Sequence, residues 1–165
     1  MNIDAKEKAF LDLIAWSEGA KYDTIVTGVD GASTFTDFST HPFANGKPAI
    51  LVREPCVAFP KGLYSTASGR YQLMLRWWLP YKTLLGLTDF SPASQDAIAL
   101  QQIRERRAIA LIEAGNMDLA VEACNNIWAS FPGNNYGQGG RSLEGMLAQY
   151  QILLQGETNE LKSAA

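Results

Sequence analysis

From Thr24 to Ser68 the three-and-four spacing of apolar residues seen in the rest of the chain gives way to β-branched and aromatic residues broken by proline and glycine. A helical bundle has no room for an interruption of that length, so the chain must join helices to a small sheet. The two kinds of segment are segregated rather than alternating. This predicts an α+β class, mainly helical, with a small antiparallel hairpin or sheet in the N-terminal third. Thr24-Ile25-Val26-Thr27 and Ser33-Thr34-Phe35-Thr36-Asp37-Phe38 flank the turn residues Val29-Asp30-Gly31, which reads as the hairpin. His41 to Ser68 carries Pro42, Pro48, Pro55 and Pro60 with Gly46 and Gly62, so it is expected to be mostly irregular, with one short strand over 49–52. Long ordered excursions of this kind usually line a site or form a lid.

Helical spacing governs both sides of that stretch. Asp4 with Glu7 three residues on can satisfy the free donors of a first turn, and the helix they begin runs to about Gly19. Phe10, Leu13, Ile14 and Ser17 share one side, and Leu11, Ile14 and Glu18 follow its edge. Gly19 can adopt the left-handed conformation that ends a helix, which puts Glu18 in the last turn. After Gly69 the spacing of Tyr71, Leu73, Met74, Trp77 and Trp78 predicts a helix that Pro80 interrupts. Ser91-Pro92 starts another, through about Arg106, which continues or restarts toward Gly115. Asn116 is a candidate cap for a helix carrying Ala120, Cys124, Ile127 and Trp128. Ser142 begins the last helix, with Leu143, Met146, Leu147, Tyr150 and Leu154, and the tail from Gly156 is expected to fray.

With 165 residues, 47% of them hydrophobic and 19% charged, the chain can close one sizeable core, so we expect one domain over 1–165, acting as a monomer. A net charge of −3 gives no general attraction to nucleic acid or anionic membrane. Arg53, Lys61 and Arg70 offer a local basic face or are merely solvated. The apolar run from Phe10 to Trp16 is short and broken by Asp12, so no membrane insertion and no export signal is expected. Cys56 and Cys124 lack zinc-ligand spacing, and no metal or cofactor is expected. Trp16, Trp77, Trp78 and Trp128 supply flat surfaces suited to a sugar ring, or fill the core. Trp77 and Trp78 cannot both face inward, so one is core and the other an edge. Tyr22, in the loop after the first helix, is a candidate sugar platform.

Glu18 is the candidate acid. A helix C-terminus, partial burial and neighbouring rings would each raise its pKa. A glycosidic bond needs such a group, because its leaving oxygen must receive a proton at neutral pH. Ordinary glycosidases add a second carboxylate. Asp23, Asp30 and Asp37 are the candidates, with Asp37 the best placed, between Phe35 and Phe38. His41, the only histidine, has no paired nucleophile in view and reads as a loop corner.

Ala9 to Gly19, Phe35-Thr-Asp-Phe-Ser with His41-Pro42, Ser68-Gly-Arg-Tyr-Gln72-Leu, Phe90 to Ile103, and Asn126-Ile-Trp128-Ala-Ser130 with Pro132-Gly133 and Tyr136-Gly-Gln138 occur in that order. Together they resemble the lambda-type phage endolysins, lysozyme-like lytic transglycosylases, over roughly Ala5 to Gln138. The resemblance implies a lysozyme-like catalytic domain that cleaves the β-1,4 bond from N-acetylmuramic acid to N-acetylglucosamine and leaves a 1,6-anhydro end. Glu18 falls on the single catalytic glutamate. Gly69-Arg70-Tyr71-Gln72 looks like a groove-lining segment, Trp128 and Tyr136 would be sugar-contacting aromatics, and Gln72, Ser130 and Gln138 would be hydrogen-bonding groups. The resemblance also implies synthesis in the host cytoplasm and action on peptidoglycan in the periplasm after a holin has opened the membrane. The 43–66 stretch departs from it in length, and Pro80 departs from it within a helix. A hydrolytic muramidase using Asp37 and a noncatalytic wall-binding module are the alternatives.

Overall fold

The computed structural model describes residues 3–133 and 140–163, and the chain divides into two compact units, 1–19 with 99–165, and 20–98. In chain order the elements are α1 (Ala5–Glu18), β1 (Thr24–Gly28), β2 (Gly31–Thr34), β3 (Ile50–Arg53), β4 (Leu63–Ser65), α2 (Leu75–Leu85), α3 (Pro92–Glu105), α4 (Ile109–Ala114), α5 (Met117–Cys124) and α6 (Leu143–Ser163). The α+β expectation holds, and among the described residues the strands all fall between Thr24 and Ser65.

In the first unit α1 packs against α4 and α6. Its start is the capping box read from Asp4 and Glu7: the Asp4 carboxylate accepts the Lys6 N–H at 2.6 Å, and Glu7 accepts the Asp4 N–H at 3.3 Å. Ala9, Phe10, Leu11, Leu13, Ile14, Ala15 and Ser17 are all buried, a wider face than one apolar stripe, because packing closes over most of the helix circumference. Phe131 meets Phe10 edge-on with ring centroids 6.3 Å apart. Ser142 Oγ accepts the Gly145 N–H and starts α6, as expected. Asn116 stands at the cap position of α5 without a side-chain cap bond. The tail departs from expectation: α6 continues through Gly156 to Ser163, and the Glu157 carboxylate pairs with Lys8 of α1, which holds the added turns in place.

In the second unit β1 and β2 form the expected antiparallel hairpin, with Thr24 opposite Thr34, but pairing stops at Thr34 and leaves Phe35 to Phe38 outside the strand. Phe35 packs instead against the cluster of Leu73, Trp78, Phe90 and Ile98. The strand anticipated near 49–52 is β3, and its partner β4, unforeseen, pairs Ile50 with Ser65. The helix after Gly69 begins only at Leu75, because Leu73 is engaged in an antiparallel bridge to Ser68. Pro80 does not end it. Proline removes one hydrogen bond, to the Arg76 carbonyl, but Trp78 is sunk to 3% exposure in the core and Gly86 closes the helix in the left-handed conformation. Trp77 is 48% exposed, so the adjacent pair splits into one core ring and one edge ring, as expected.

Candidate functional site

Glu18 is the last residue of α1, and Gly19 at φ 64° ends the helix by turning its own N–H back onto the Ala15 and Trp16 carbonyls. Glycine adopts this conformation without steric cost, so the chain leaves the helix immediately after the carboxylate. Glu18 therefore sits at the negative end of the helix dipole. Across from it, the turn after α5 presents Ser130 between two buried rings, Trp128 and Phe131, whose centroids lie 5.4 Å apart. The Phe131 N–H donates to the Trp128 carbonyl and the Arg141 N–H to the Ser130 carbonyl, which fixes the turn on both sides.

Ser130 Oγ lies 2.5 Å from Glu18 Oε1, and the Ser130 backbone N–H donates to the same oxygen at 3.4 Å. Ser17 completes the group. Its hydroxyl donates to the Ile14 carbonyl at 2.8 Å and stands 2.9 Å from Ser130 Oγ. Burial holds the Glu18 carboxyl above the ordinary glutamate range, and hydrogen bonding from Ser130 is the smaller, opposing influence. A carboxyl so placed can carry a proton where an exposed one has lost it.

The second unit contains a polar knot. Asp96 accepts from the Tyr71 hydroxyl at 2.7 Å and from the Tyr22 hydroxyl at 2.9 Å. The Arg70 guanidinium donates to both phenol oxygens and stacks over both rings, 5.0 Å from the Tyr22 centroid and 5.6 Å from that of Tyr71. Burial first, then the Asp96 charge, pushes both phenols up, so they stay protonated donors. The Gln95 amide accepts the Arg70 N–H at 2.8 Å and donates to the Tyr22 and Phe90 carbonyls at 3.0 Å each. The Gly69–Gln72 turn is held by this framework, and Gln72 has φ 50°, a left-handed conformation strained for a side-chain-bearing residue.

The structure thus brings Glu18 and Ser130 together, and separately Tyr22 and Tyr71. Trp128 is 3% exposed and fills the core of the first unit rather than offering an open ring face. Tyr71, at 5%, is likewise interior, its hydroxyl committed to Asp96. Tyr22 is half-buried, with Arg70 stacked on its ring. Asp37 is exposed in the loop beyond β2, accepting the Ser39 N–H at 2.8 Å, and hydrogen bonding from Ser39, side chain first and backbone second, holds its carboxyl below the ordinary range. Gln72 is half-buried and donates to the Gly69 carbonyl at 3.0 Å. Tyr136 and Gln138 lie outside the described residues. Sequence reasoning missed Ser17 as a partner of Ser130, and Gln95 and Asp96 as the centre of the knot. Ser17 adjoins Glu18 but was read only as part of a helix face, and Asp96 meets Tyr22 across 74 positions, a separation that carries no local signal.

A profile of the endolysin family matches residues 8–156. The chain belongs to the endolysin family. This endolysin is 44% identical over 161 aligned residues to the endolysin of Escherichia phage lambda, with 92% of each chain covered. It is 47% identical over 153 residues to that of Escherichia phage P2, covering 87% of this chain and 89% of the other. Its fold is that of lambda lysozyme. A bacteriophage lambda lysozyme complexed with a chitohexasaccharide superimposes with a TM-score of 0.77 at 44% identity, covering 93% of this endolysin and 96% of that chain. A second lysozyme from bacteriophage lambda gives 0.72 at 41% over the same shares.

Proposed function

We propose that this endolysin is a lytic transglycosylase that cuts the β-1,4 bond from N-acetylmuramic acid to N-acetylglucosamine in peptidoglycan, with Glu18 as acid and then base. Membership of the endolysin family supports the coarser activity, lysis of the cell wall by a peptidoglycan-cleaving enzyme. The observation that carries the finer reading is the Glu18 carboxyl, held above its ordinary range by burial and partnered by a serine hydroxyl rather than by a second carboxylate. Such a group can protonate a leaving glycosidic oxygen and, once anionic, accept a proton. Among the described residues no second carboxylate is a hydrogen-bond or charge partner of Glu18. A substrate that supplies its own nucleophile removes the need for one: the C6 hydroxyl of the muramic residue attacks C1, its proton passes to Glu18, and the ring closes as the glycosidic bond breaks. Tethering makes this step unimolecular, an advantage worth several orders of magnitude.

A chitohexasaccharide is the ligand named for the lambda lysozyme complex, and a β-1,4-linked N-acetylated glycan is the ligand class we assign here. Gln72 and Ser130 remain its candidate hydrogen-bonding groups, and Tyr22 its candidate platform. No described helix is long and apolar enough to cross a membrane. Access to a periplasmic wall would then depend on a partner such as a holin, and lysis on expression without any permeabilising partner counts against that dependence.

Mass spectrometry of soluble fragments tests the reaction. Anhydro-muramic ends, lighter by one water than reducing ends, are the expected product. Reducing ends overturn the transglycosylase reading and return attention to Asp37.

A further inference from the structure

Four oxygens lie in a row at the end of α1: the Ile14 carbonyl, Ser17 Oγ, Ser130 Oγ and Glu18 Oε1, with successive separations of 2.8, 2.9 and 2.5 Å. Each gap has hydrogen-bond length, and each requires a proton between its oxygens. Two hydroxyls supply two. The carbonyl can only accept, so the Ser17 proton belongs to it. Toward an ionised Glu18, Ser130 donates to Oε1 and the gap between the two serines is left without a proton; when Glu18 keeps its own proton, that proton fills the last gap and the Ser130 proton the middle one.

We infer that Ser17 is a positioning residue that acts on Glu18 through Ser130: the three side chains form a one-way hydroxyl chain, Glu18 Oε1–H to Ser130 to Ser17 to the Ile14 carbonyl, which stores the carboxyl in its acid form. The fixed acceptor at its far end sets the direction. When the proton is given up the chain reverses. Ser17 turns from the Ile14 carbonyl to Ser130, and Ser130 donates to the new carboxylate. A half-turn of the carboxyl group about its own terminal bond, a broad and soft torsion, swaps the protonated oxygen for the bare one. No bond other than O–H changes, and the count of protons is conserved.

Among the described residues no charged group contributes to the raised Glu18 carboxyl. The influences on Glu18 among the described residues are burial and Ser130. On the elements packed against α1, the Glu157 carboxylate of α6 pairs with Lys8, and Lys6 donates to the Glu113 carbonyl at the end of α4. Both contacts are at least ten residues, about 15 Å of helix, from Glu18. Arg141 stacks over the Trp16 ring, 4.5 Å from its centroid.

The inference concerns the same carboxyl as the proposed function, and its test does not require activity. The side-chain carboxyl of Glu18 is titrated by NMR in wild type, Ser17→Ala and Ser17→Thr, with carbon-13 in the glutamate side chains. Without the Ser17 hydroxyl, Ser130 has no other acceptor in the row and points permanently at Glu18, favouring the anion. The Ser17→Ala midpoint is expected to fall by about half a unit or more, the effect of one hydroxyl hydrogen bond. Ser17→Thr keeps a hydroxyl that reaches the preceding turn and is expected to restore the wild-type midpoint. An unchanged or higher midpoint in Ser17→Ala, or a Thr variant that titrates like the Ala variant, overturns the chain. Full lytic activity in Glu18→Gln, by contrast, removes the catalytic reading and leaves this titration standing.

Discussion

Glu18 carries a cost as well as its proposed role. Its carboxyl titrates above the ordinary value of 4.5 in the folded protein, with burial as the main cause. A group with a raised folded pKa contributes stability that is fully present below the unfolded value and is lost as pH rises through the folded one. Above the unfolded value the buried carboxyl therefore opposes folding. Glu18→Gln, which keeps an acceptor for Ser130, is expected to melt at a higher temperature than wild type at pH 7, with the gap closing as pH drops below about 4.5. Its wall-clearing activity is expected to fall at least a hundredfold, the low end of what general acid–base catalysis supplies. Parallel melting curves and turbidity assays of the two proteins would check both. A variant less stable than wild type at pH 7 would mean that the carboxylate is better solvated than its surroundings indicate.

The Gly69–Gln72 turn shows how an element can depend on one atom that is absent. Gly69 has φ 77°, and a Cβ there would collide with the Gln95 amide. That amide bridges the Arg70 N–H and the Tyr22 and Phe90 carbonyls, so its displacement strands several buried groups at once. Gly69→Ala is expected to cost about 3 kcal/mol or more, combining a left-handed penalty of about 1–2 kcal/mol with lost bonds at Gln95. Urea denaturation measures it, and a loss under 1 kcal/mol would mean that the knot rearranges freely. The helices differ in how far local chemistry governs them. The capping box of α1 and the left-handed glycines that close α1 and α2 follow directly from residue type. The passage of α2 through Pro80 does not, since local propensity opposes it and only the burial of Trp78 among Leu73, Phe90 and Ile98 outweighs the lost bond.

For the molecule as a whole, His41 adds an acid sensitivity of opposite sign to that of Glu18. Its imidazole is fully buried, with Nε2–H donating to the Leu73 carbonyl at 2.9 Å and Nδ1 accepting the Phe43 N–H at 3.3 Å, an arrangement that fits the neutral ring. Burial pushes its pKa down from the ordinary 6.5. The contribution is thus present above 6.5 and is lost as pH falls toward the folded value, because the unfolded chain takes up the proton first. Stability followed by denaturant titration from pH 7.5 to 5 is expected to decline with a slope that flattens in His41→Gln. An equal slope in the variant would place the acid sensitivity elsewhere. The histidine read as a loop corner from the sequence is such a corner, and its ring also ties the 41–43 segment to Leu73.

Period, turn chemistry and capping are local properties, so the sequence by itself determined the α+β class, the hairpin, the ends of α1 and the placing of Glu18 in a last turn. Its motif order also led to the endolysin family. What only the tertiary structure decided depends on residues distant along the chain. The hydroxyl of Ser130 meets Glu18 across 112 positions, and Tyr22 meets Asp96 across 74, pairings that no spacing rule encodes. Burial of Trp128 and Tyr71 is of the same kind, because an aromatic residue reads alike in a core and at a surface until its neighbours are in place. The extension of α6 past Gly156 was likewise hidden, since the contact that holds it, Lys8 with Glu157, joins opposite ends of the chain. Local chemistry sets where a carboxyl stands, and packing sets how readily it keeps its proton.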